Sequence, residues 1–346
     1  MKYIITYFPE FKKLALKEVA QASGAFARDI DKGMCVIDGA ESLAVELTAA
    51  DPVFVRHIMP VHFEDELCGE KEADCATILA AAKQYFILQK GERFSVQCRI
   101  LNTQRHMYGN VEKAYSTRDI EIFIGSYFDS TGAVSVFSTS ELVSEQEFKV
   151  ISIFVHNQKF YLGFSNVKDN LNAHCDEHRI LSRIGREISR AENKLKEAVV
   201  KFELKLNGEG RALDIGAAPG GWTKVLADFG YKVTAVDPGM LNDSLYEHPH
   251  ITHIKDKVEN VVFNEGFDVT VNDMNCDPQD AAQIMVDIAK LLKSSGVAVL
   301  TLKLPFSDVE RSIRESVEIL EQAYIIKSIK SLSHNRREVT VLLGVK

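Results

Sequence analysis

The chain has 346 residues, 41 Lys and Arg against 49 Asp and Glu, a formal net charge of −8, and 46% hydrophobic with 26% charged residues. This is the balance of an ordinary globular protein of two or three domains, and it excludes a protein that coats nucleic acid through overall charge while leaving room for a local basic track. No apolar run reaches membrane-spanning length and the N-terminus MKYIITYFPEFKK has neither a full apolar core nor a small-residue cleavage site, so a cytoplasmic chain with no membrane attachment is expected.

In chain order, YIITYF reads as a strand, EFKKLALKEVAQASG as an amphipathic helix closed by Gly24, MCVIDG as a strand and ESLAVELTAA as a helix. Together they form a small α+β unit over residues 1–55. A second unit, 56–165, opens with a helix from Glu72 to Leu88 and the strand RFSVQCRI. Its next helix starts at STRD, where Ser116 and Asp119 are spaced as a capping box. FKVISIFVH and KFYLGFS then close the unit as a hairpin turning at Asn157 and Gln158. This order suggests helices on one face of a mixed sheet, and nothing in it resembles a catalytic constellation.

Residues 166–185 read as a polar linker running into a basic helix. Arg179, Arg183, Arg186, Arg190 and Lys194 recur at three- and four-residue spacings, which stacks them on one helical face as a candidate RNA track. A simple solvated face is the rival account. From 186 to 346 the chain is a regular α/β series: ALDIG, WTKVLADF, KVTAVD, ITHIKD, FDVTVND, DAAQIMVDIAKLLK, VAVLTLKL, a helix from Asp308 to Ala323, then YIIKSIKSL and EVTVLLGV. Strands alternating with helices predict a mostly parallel, Rossmann-like sheet with the last two strands as an antiparallel hairpin at its edge.

Ligands of such sheets bind beyond the C-terminal strand ends, where Asp214, Gly216, Asp237, Asp256, Asp273 and Lys303 all fall. The loop in DIGAAPGGWT, with Gly216, Ala218, Pro219, Gly220, Gly221 and Trp222, lets backbone approach a ligand closely, and Gly220→Val should block that approach. Asp237 stands 23 positions past Asp214, where an acidic residue would bind ribose hydroxyls. The glycines do not spell G-x-G-x-x-G, and Asp214 suits a cationic amine, so S-adenosylmethionine is favoured over a dinucleotide. The cysteines Cys35, Cys68, Cys75, Cys98, Cys175 and Cys276 show no C-x-x-C, and the histidines of HPHITH and HCDEH lack a second ligand pair, so no metal is expected.

DIGAAPGGWT resembles the cofactor loop of the FtsJ/RrmJ-type ribose 2′-O-methyltransferases. That resemblance implies a Lys-Asp-Lys-Glu tetrad, offered here by Lys194 in SRAENKLKEA, Asp273 in VNDMNCDP, Lys303 in TLKLP and Glu338 in SHNRREVTV. LKLP and the stretch from His334 to Val341 are similar to the RlmM group of large-subunit rRNA methyltransferases. This likeness implies a ferredoxin-like segment and a THUMP domain ahead of the catalytic domain, and VHNQKFYLGFS looks like closing THUMP strands. A cytidine of large-subunit rRNA is then the implied target.

Each tetrad position has an ordinary alternative, such as a strand-end cap at Asp273 or an edge-strand charge at Glu338. Lys303, however, sits in an apolar run where an unpaired charge would be costly, so it should be partnered. On this reading Lys303 orients the hydroxyl and stabilises developing oxyanion charge, acting as a base only if Lys194 and desolvation lower its pKa. The alternatives are an RNA cytosine-C5 methyltransferase with Cys276 as nucleophile, and an inactive RNA-binding protein on a methyltransferase fold.

Overall fold

The computed structural model describes residues 1–24, 27–101, 115–136, 147–171, 188–189 and 191–346. The chain divides into two compact units, Met1–Ile180 and Leu181–Lys346. The first unit begins with β1 (Lys2–Thr6), α1 (Lys12–Ser23), β2 (Ala27–Asp31), β3 (Met34–Asp38), α2 (Leu43–Ala49) and β4 (His57–Val61). Its four-stranded sheet has the order β2-β3-β1-β4 with every neighbour antiparallel, the ferredoxin-like arrangement of a split βαβ unit. A boundary at residue 55 falls before β4, which completes this sheet. Glu18 of α1 secures that return, because its carboxylate accepts the backbone N–H groups of Val53, Phe54 and Val55 at 2.8, 2.9 and 3.0 Å.

The second sheet uses β5 (Phe63–Glu66), β6 (Arg93–Leu101), β7 (Val134–Ser135), β8 (Lys149–His156) and β9 (Lys159–Asn166), in the order β5-β9-β8-β6-β7. It is mixed, since β6 runs parallel to β7 and β8 while β9 is antiparallel to β5 and β8. Alternate residues of one face, Phe94 and Val96, Ile151 and Ile153, Phe160 and Leu162, share a core with α3 (Lys71–Tyr85) and α4 (Thr117–Ser130). The opposite face gives Phe154 and Tyr161 to a cluster with Ile4, Met34, Val36 and Met59 of the first sheet. Period-two alternation thus covers both faces. The capping box of α4 is present: Ser116 Oγ accepts the Asp119 N–H, and Asp119 accepts the Ser116 N–H at 2.7 Å.

The second unit is a seven-stranded sheet of β10 (Arg211–Ile215), β11 (Lys232–Val236), β12 (Ile251–Ile254), β13 (Phe267–Asn272), β14 (Leu292–Lys303), β15 (Tyr324–Lys330) and β16 (Glu338–Val345). The order is β12-β11-β10-β13-β14-β16-β15, and the first five strands are parallel. The expected antiparallel hairpin stands at the sheet edge, with β16 inserted between β14 and β15. Burial explains the choice. EVTVLLGV is buried at seven successive positions, whereas YIIKSIK is only half covered and takes the edge.

Helices α5 (Ala191–Lys201) and α6 (Gly221–Asp228) share a core with the sheet through Leu195, Ala198, Trp222, Val225, Val271 and Val299. They are joined by α7 (Pro278–Ile288) and α8 (Val309–Leu320). The Tyr324 hydroxyl at the start of β15 donates to the Met285 carbonyl of α7 at 2.9 Å. No helix among the described residues is long and apolar enough to cross a membrane.

Candidate active site

The loop from Gly216 to Gly220 joins β10 to α6, and backbone geometry explains two of its glycines. Gly216 has φ 69° and Gly220 φ 105°, values that L side chains rarely adopt. A Cβ on Gly216 would overlap Met274, while one on Gly220 would overlap Leu245. Packing against Leu245 and the positive φ each give Gly220 a structural reason to stay bare. Asp237, just past β11, ties two loops together, with its carboxylate accepting the Ala218 N–H at 3.1 Å and the Gly239 N–H at 2.6 Å.

Beside this loop lies a cavity of about 450 Å³ at the C-terminal ends of the strands, lined by residues that include Gly216, Ala218, Asp237, Asp256, Asp273 and Met274. Its volume falls in the range of small-molecule sites. Its charge is lopsided: Asp237, Asp256, Glu259 and Asp273 face it against Lys257. The Asn260 side chain and the Lys257 N–H donate to Asp256 and hold its carboxyl below the usual range. Asp256 thus keeps its charge.

Five of the expected cofactor residues stand outside the lining. Asp214 lies under the loop, 2% exposed, where it accepts the Thr223 hydroxyl at 2.6 Å and so braces the first turn of α6. Burial pushes its carboxyl up to about 7 against that hydrogen bond, and the neighbouring Asp273 adds to the shift. Pro219 is exposed and gives its carbonyl to the Asn242 N–H at 2.8 Å. Gly220 packs on Leu245, and Gly221 packs on Ser189 and Glu192. Trp222 is buried and donates to the Ala191 carbonyl at 2.7 Å. After the exposed Pro219 the chain turns inward to start the packed helix α6. Met274, Pro238 and Val258 line the cavity without having been expected there. They carry no polar signature, and only their place beside Asp273, Asp237 and Asp256 marks them.

The structure brings Lys194, Asp273, Lys303 and Glu338 together in one cluster. Lys194 Nζ lies 3.2 Å from Asp273 and 2.7 Å from Glu338, and Lys303 Nζ lies 2.5 Å from each of the same two carboxylates. Each element contributes by design of its local structure. Lys303 ends β14 directly opposite Glu338, which begins β16. Asp273 follows β13, where Asn272 Oδ1 accepts the Met274 N–H at 2.9 Å and fixes the turn. Lys194 sits in the first turn of α5, whose start is held by Glu192 accepting the Ile188 N–H at 2.5 Å. Burial pulls the Lys303 ammonium down, but Asp273 and Glu338 outweigh it and its pKa lies above the ordinary value. Burial likewise works against charge on Glu338, yet Lys303 and Lys194 hold its pKa low. The Lys303 ammonium and the Glu338 carboxylate therefore both keep their charge at neutral pH.

A second buried acid supports the cluster and had no sequence signal of its own. Glu197, 2% exposed and one turn beyond Lys194, accepts the N–H groups of Ser333 and His334 at 2.5 and 2.8 Å and lies 2.7 Å from His334 Nδ1. It anchors the turn that leads into Glu338. For Cys276, burial pushes the thiol pKa up, with Asp280 and Asp277 adding to it. A protonated thiol is a poor nucleophile, which counts against the cytosine-C5 reading. Arg179, Arg183, Arg186 and Arg190 lie outside the described residues, as do His174, Cys175 and His178. Among the described residues no group of three or more His, Cys, Asp or Glu is arranged to hold a metal ion.

Residues 188–344 match the family model described as FtsJ-like methyltransferase. An uncharacterized protein of Methanocaldococcus jannaschii is 33% identical over 168 residues, covering 46% of this chain and 47% of its own. Ribosomal RNA large subunit methyltransferase M of Aeromonas hydrophila is 31% identical over 211 residues, 55% of each chain. The chain spans about half the length of the curated relatives it matches. Among solved structures, TrmN from Thermus thermophilus aligns over 100% of both chains at 13% identity and a TM-score of 0.38, too distant a likeness to bear on function.

Proposed function

We propose that this chain, whose residues 188–344 form an FtsJ-like methyltransferase domain, transfers a methyl group from S-adenosylmethionine to a ribose 2′-hydroxyl of RNA, with large-subunit rRNA as the substrate and a cytidine as the target. The observation that carries this reading is that Asp273 belongs to both features of the site. It lines the cavity and bonds both lysines, which supports a cofactor site beside the Lys-Asp-Lys-Glu cluster. The lining also suits the ligand. A sulfonium cation with an ammonium group is favoured among carboxylates, whereas a dinucleotide would bring its pyrophosphate against four of them.

Bound S-adenosylmethionine supplies an electrophilic methyl on sulfur, and its transfer forms an O–C bond as an S–C bond breaks. Lys303, held as an ammonium, donates to the 2′-oxygen and stabilises the negative charge that grows there as the hydroxyl proton is lost to water. Asp273 and Glu338 aim Lys303, and Lys194 balances their charge. Asp237 and Asp256 are assigned to the nucleoside end of the cofactor, with Gly216 and Ala218 allowing close approach. Asp214, Pro219, Gly220, Gly221 and Trp222 shape the loop from behind.

Residues 62–165 are read as a THUMP-like RNA-binding module, 1–61 as its ferredoxin-like companion, and Arg179, Arg183, Arg186 and Arg190 as an RNA track, all within a cytoplasmic enzyme that needs no metal. Calorimetry tests the cofactor assignment: S-adenosylmethionine should bind and NAD should not. Tight NAD binding with no heat from S-adenosylmethionine would overturn it.

A further inference from the structure

Phe306, three residues past Lys303, is 91% exposed, the most exposed of the large apolar side chains among the described residues. A single exposed ring is ordinary, but this one is held in place. The β14–β16 pairing that sets Lys303 opposite Glu338 continues one step, with the Leu304 N–H donating to the Arg337 carbonyl at 2.9 Å. The Arg337 side chain then reaches across and donates to the carbonyls of Pro305 and Phe306 at 2.9 and 3.0 Å. Its guanidinium carbon lies 4.7 Å from the centroid of the Phe306 ring. One strand pair thus carries Lys303 and Glu338 on one step, and a cation-backed aromatic ring on the next. Three residues of extended chain span at most about 11 Å, the scale of one nucleotide.

We propose that Phe306, backed by Arg337, is a stacking platform for a nucleobase of single-stranded RNA at or next to the nucleotide whose ribose meets Lys303. The proposal rests on the RNA methyl-transfer reading above. The chemistry favours RNA as the occupant: a base offers a π-face to the ring, and Arg337 adds a positive charge next to a polyanion in a chain of net charge −8. Stacking presents the ribose edge and leaves the base unread by hydrogen bonds, so Phe306 contributes affinity and placement more than sequence preference.

The test uses the full chain, Phe306→Ala, Phe306→Leu and Phe306→Trp, and a single-stranded oligoribonucleotide. Phe306→Ala and Phe306→Leu should raise KM for RNA on the order of 10-fold or more with S-adenosylmethionine affinity unchanged, and Phe306→Trp should restore it. The native chain has a single Trp, Trp222, which is buried. Fluorescence of the Phe306→Trp variant above that background should therefore be quenched by the oligoribonucleotide. Unchanged KM in Phe306→Ala together with no quenching overturns the proposal. A wild-type dimer that Phe306→Ala converts to a monomer would also overturn it, by assigning the ring to a contact between chains. Quenching without any methyl transfer by the wild type removes the proposed reaction and keeps the stacking site, and normal transfer with unchanged KM in Phe306→Ala and no quenching does the reverse.

Discussion

Asp214 should make this protein less stable as pH rises towards neutrality, and Asp214→Asn should remove that dependence. The carboxyl is buried, accepts one hydroxyl from Thr223, and has its pKa pushed from 3.8 up to about 7. The folded state therefore keeps a proton that the unfolded chain has already lost. With more protons bound folded than unfolded, stability falls as pH rises between those two values and levels off above the upper one. A gap of roughly three pKa units corresponds to about 4 kcal/mol between pH 4 and pH 8. Asn keeps an oxygen that can accept from Thr223 and never ionises, so its stability curve should lack this component. Urea unfolding of both proteins from pH 4 to pH 8, with the difference plotted against pH, isolates the effect of this residue from all other titrations. Parallel curves, or a wild type that gains stability over Asp214→Asn as pH rises, would refute the reasoning.

Three other substitutions test the loop and the support of the cluster. Gly216→Val forces a side chain onto Met274 at the cavity wall and should abolish S-adenosylmethionine binding in calorimetry, whereas Gly220→Ala strains the contact with Leu245 and should lower Tm while the folded fraction still binds. Glu197→Ala leaves two half-buried N–H groups without their carboxylate and should cost about 2 kcal/mol in denaturant unfolding, with slower methyl transfer but unchanged cofactor Kd.

Much of the fold was legible because local patterns and tertiary demands agree. Gly24 closes α1, Ser116 and Asp119 cap α4, and Asn157 takes a positive φ at the turn between β8 and β9. β2 was not legible: ARDID has three charged residues in five, the composition of an edge strand, and pairing with β3 rather than periodicity makes it a strand. The helix pattern in DAAQIMVDIAKLLK ran on too far, because α7 stops at Ile288 and Leu292 already pairs with Phe267. At the site, four charged residues could be found by their motifs, whereas their mutual contacts depend on crossovers that no local spacing encodes. Glu197 was hidden for the same reason. It looks like one more charge on a polar helix until the turn at Ser333 and His334 is folded onto it.

The central claim is that Lys303 acts on a ribose hydroxyl. Lys303→Ala is a clean probe, because Lys194 still bonds both Asp273 and Glu338 and leaves neither carboxylate unpartnered. Lys303→Arg should fail to rescue, since a planar fork cannot replace a compact ammonium at two carboxylates. The decisive measurement is single-turnover transfer of labelled methyl to RNA by the wild type and Lys303→Ala, followed by nuclease digestion to locate the label. A loss of roughly 100-fold or more in rate, intact cofactor and RNA affinity, and label on the ribose 2′-oxygen are predicted. An unchanged rate in Lys303→Ala, or label on the base, would contradict the account.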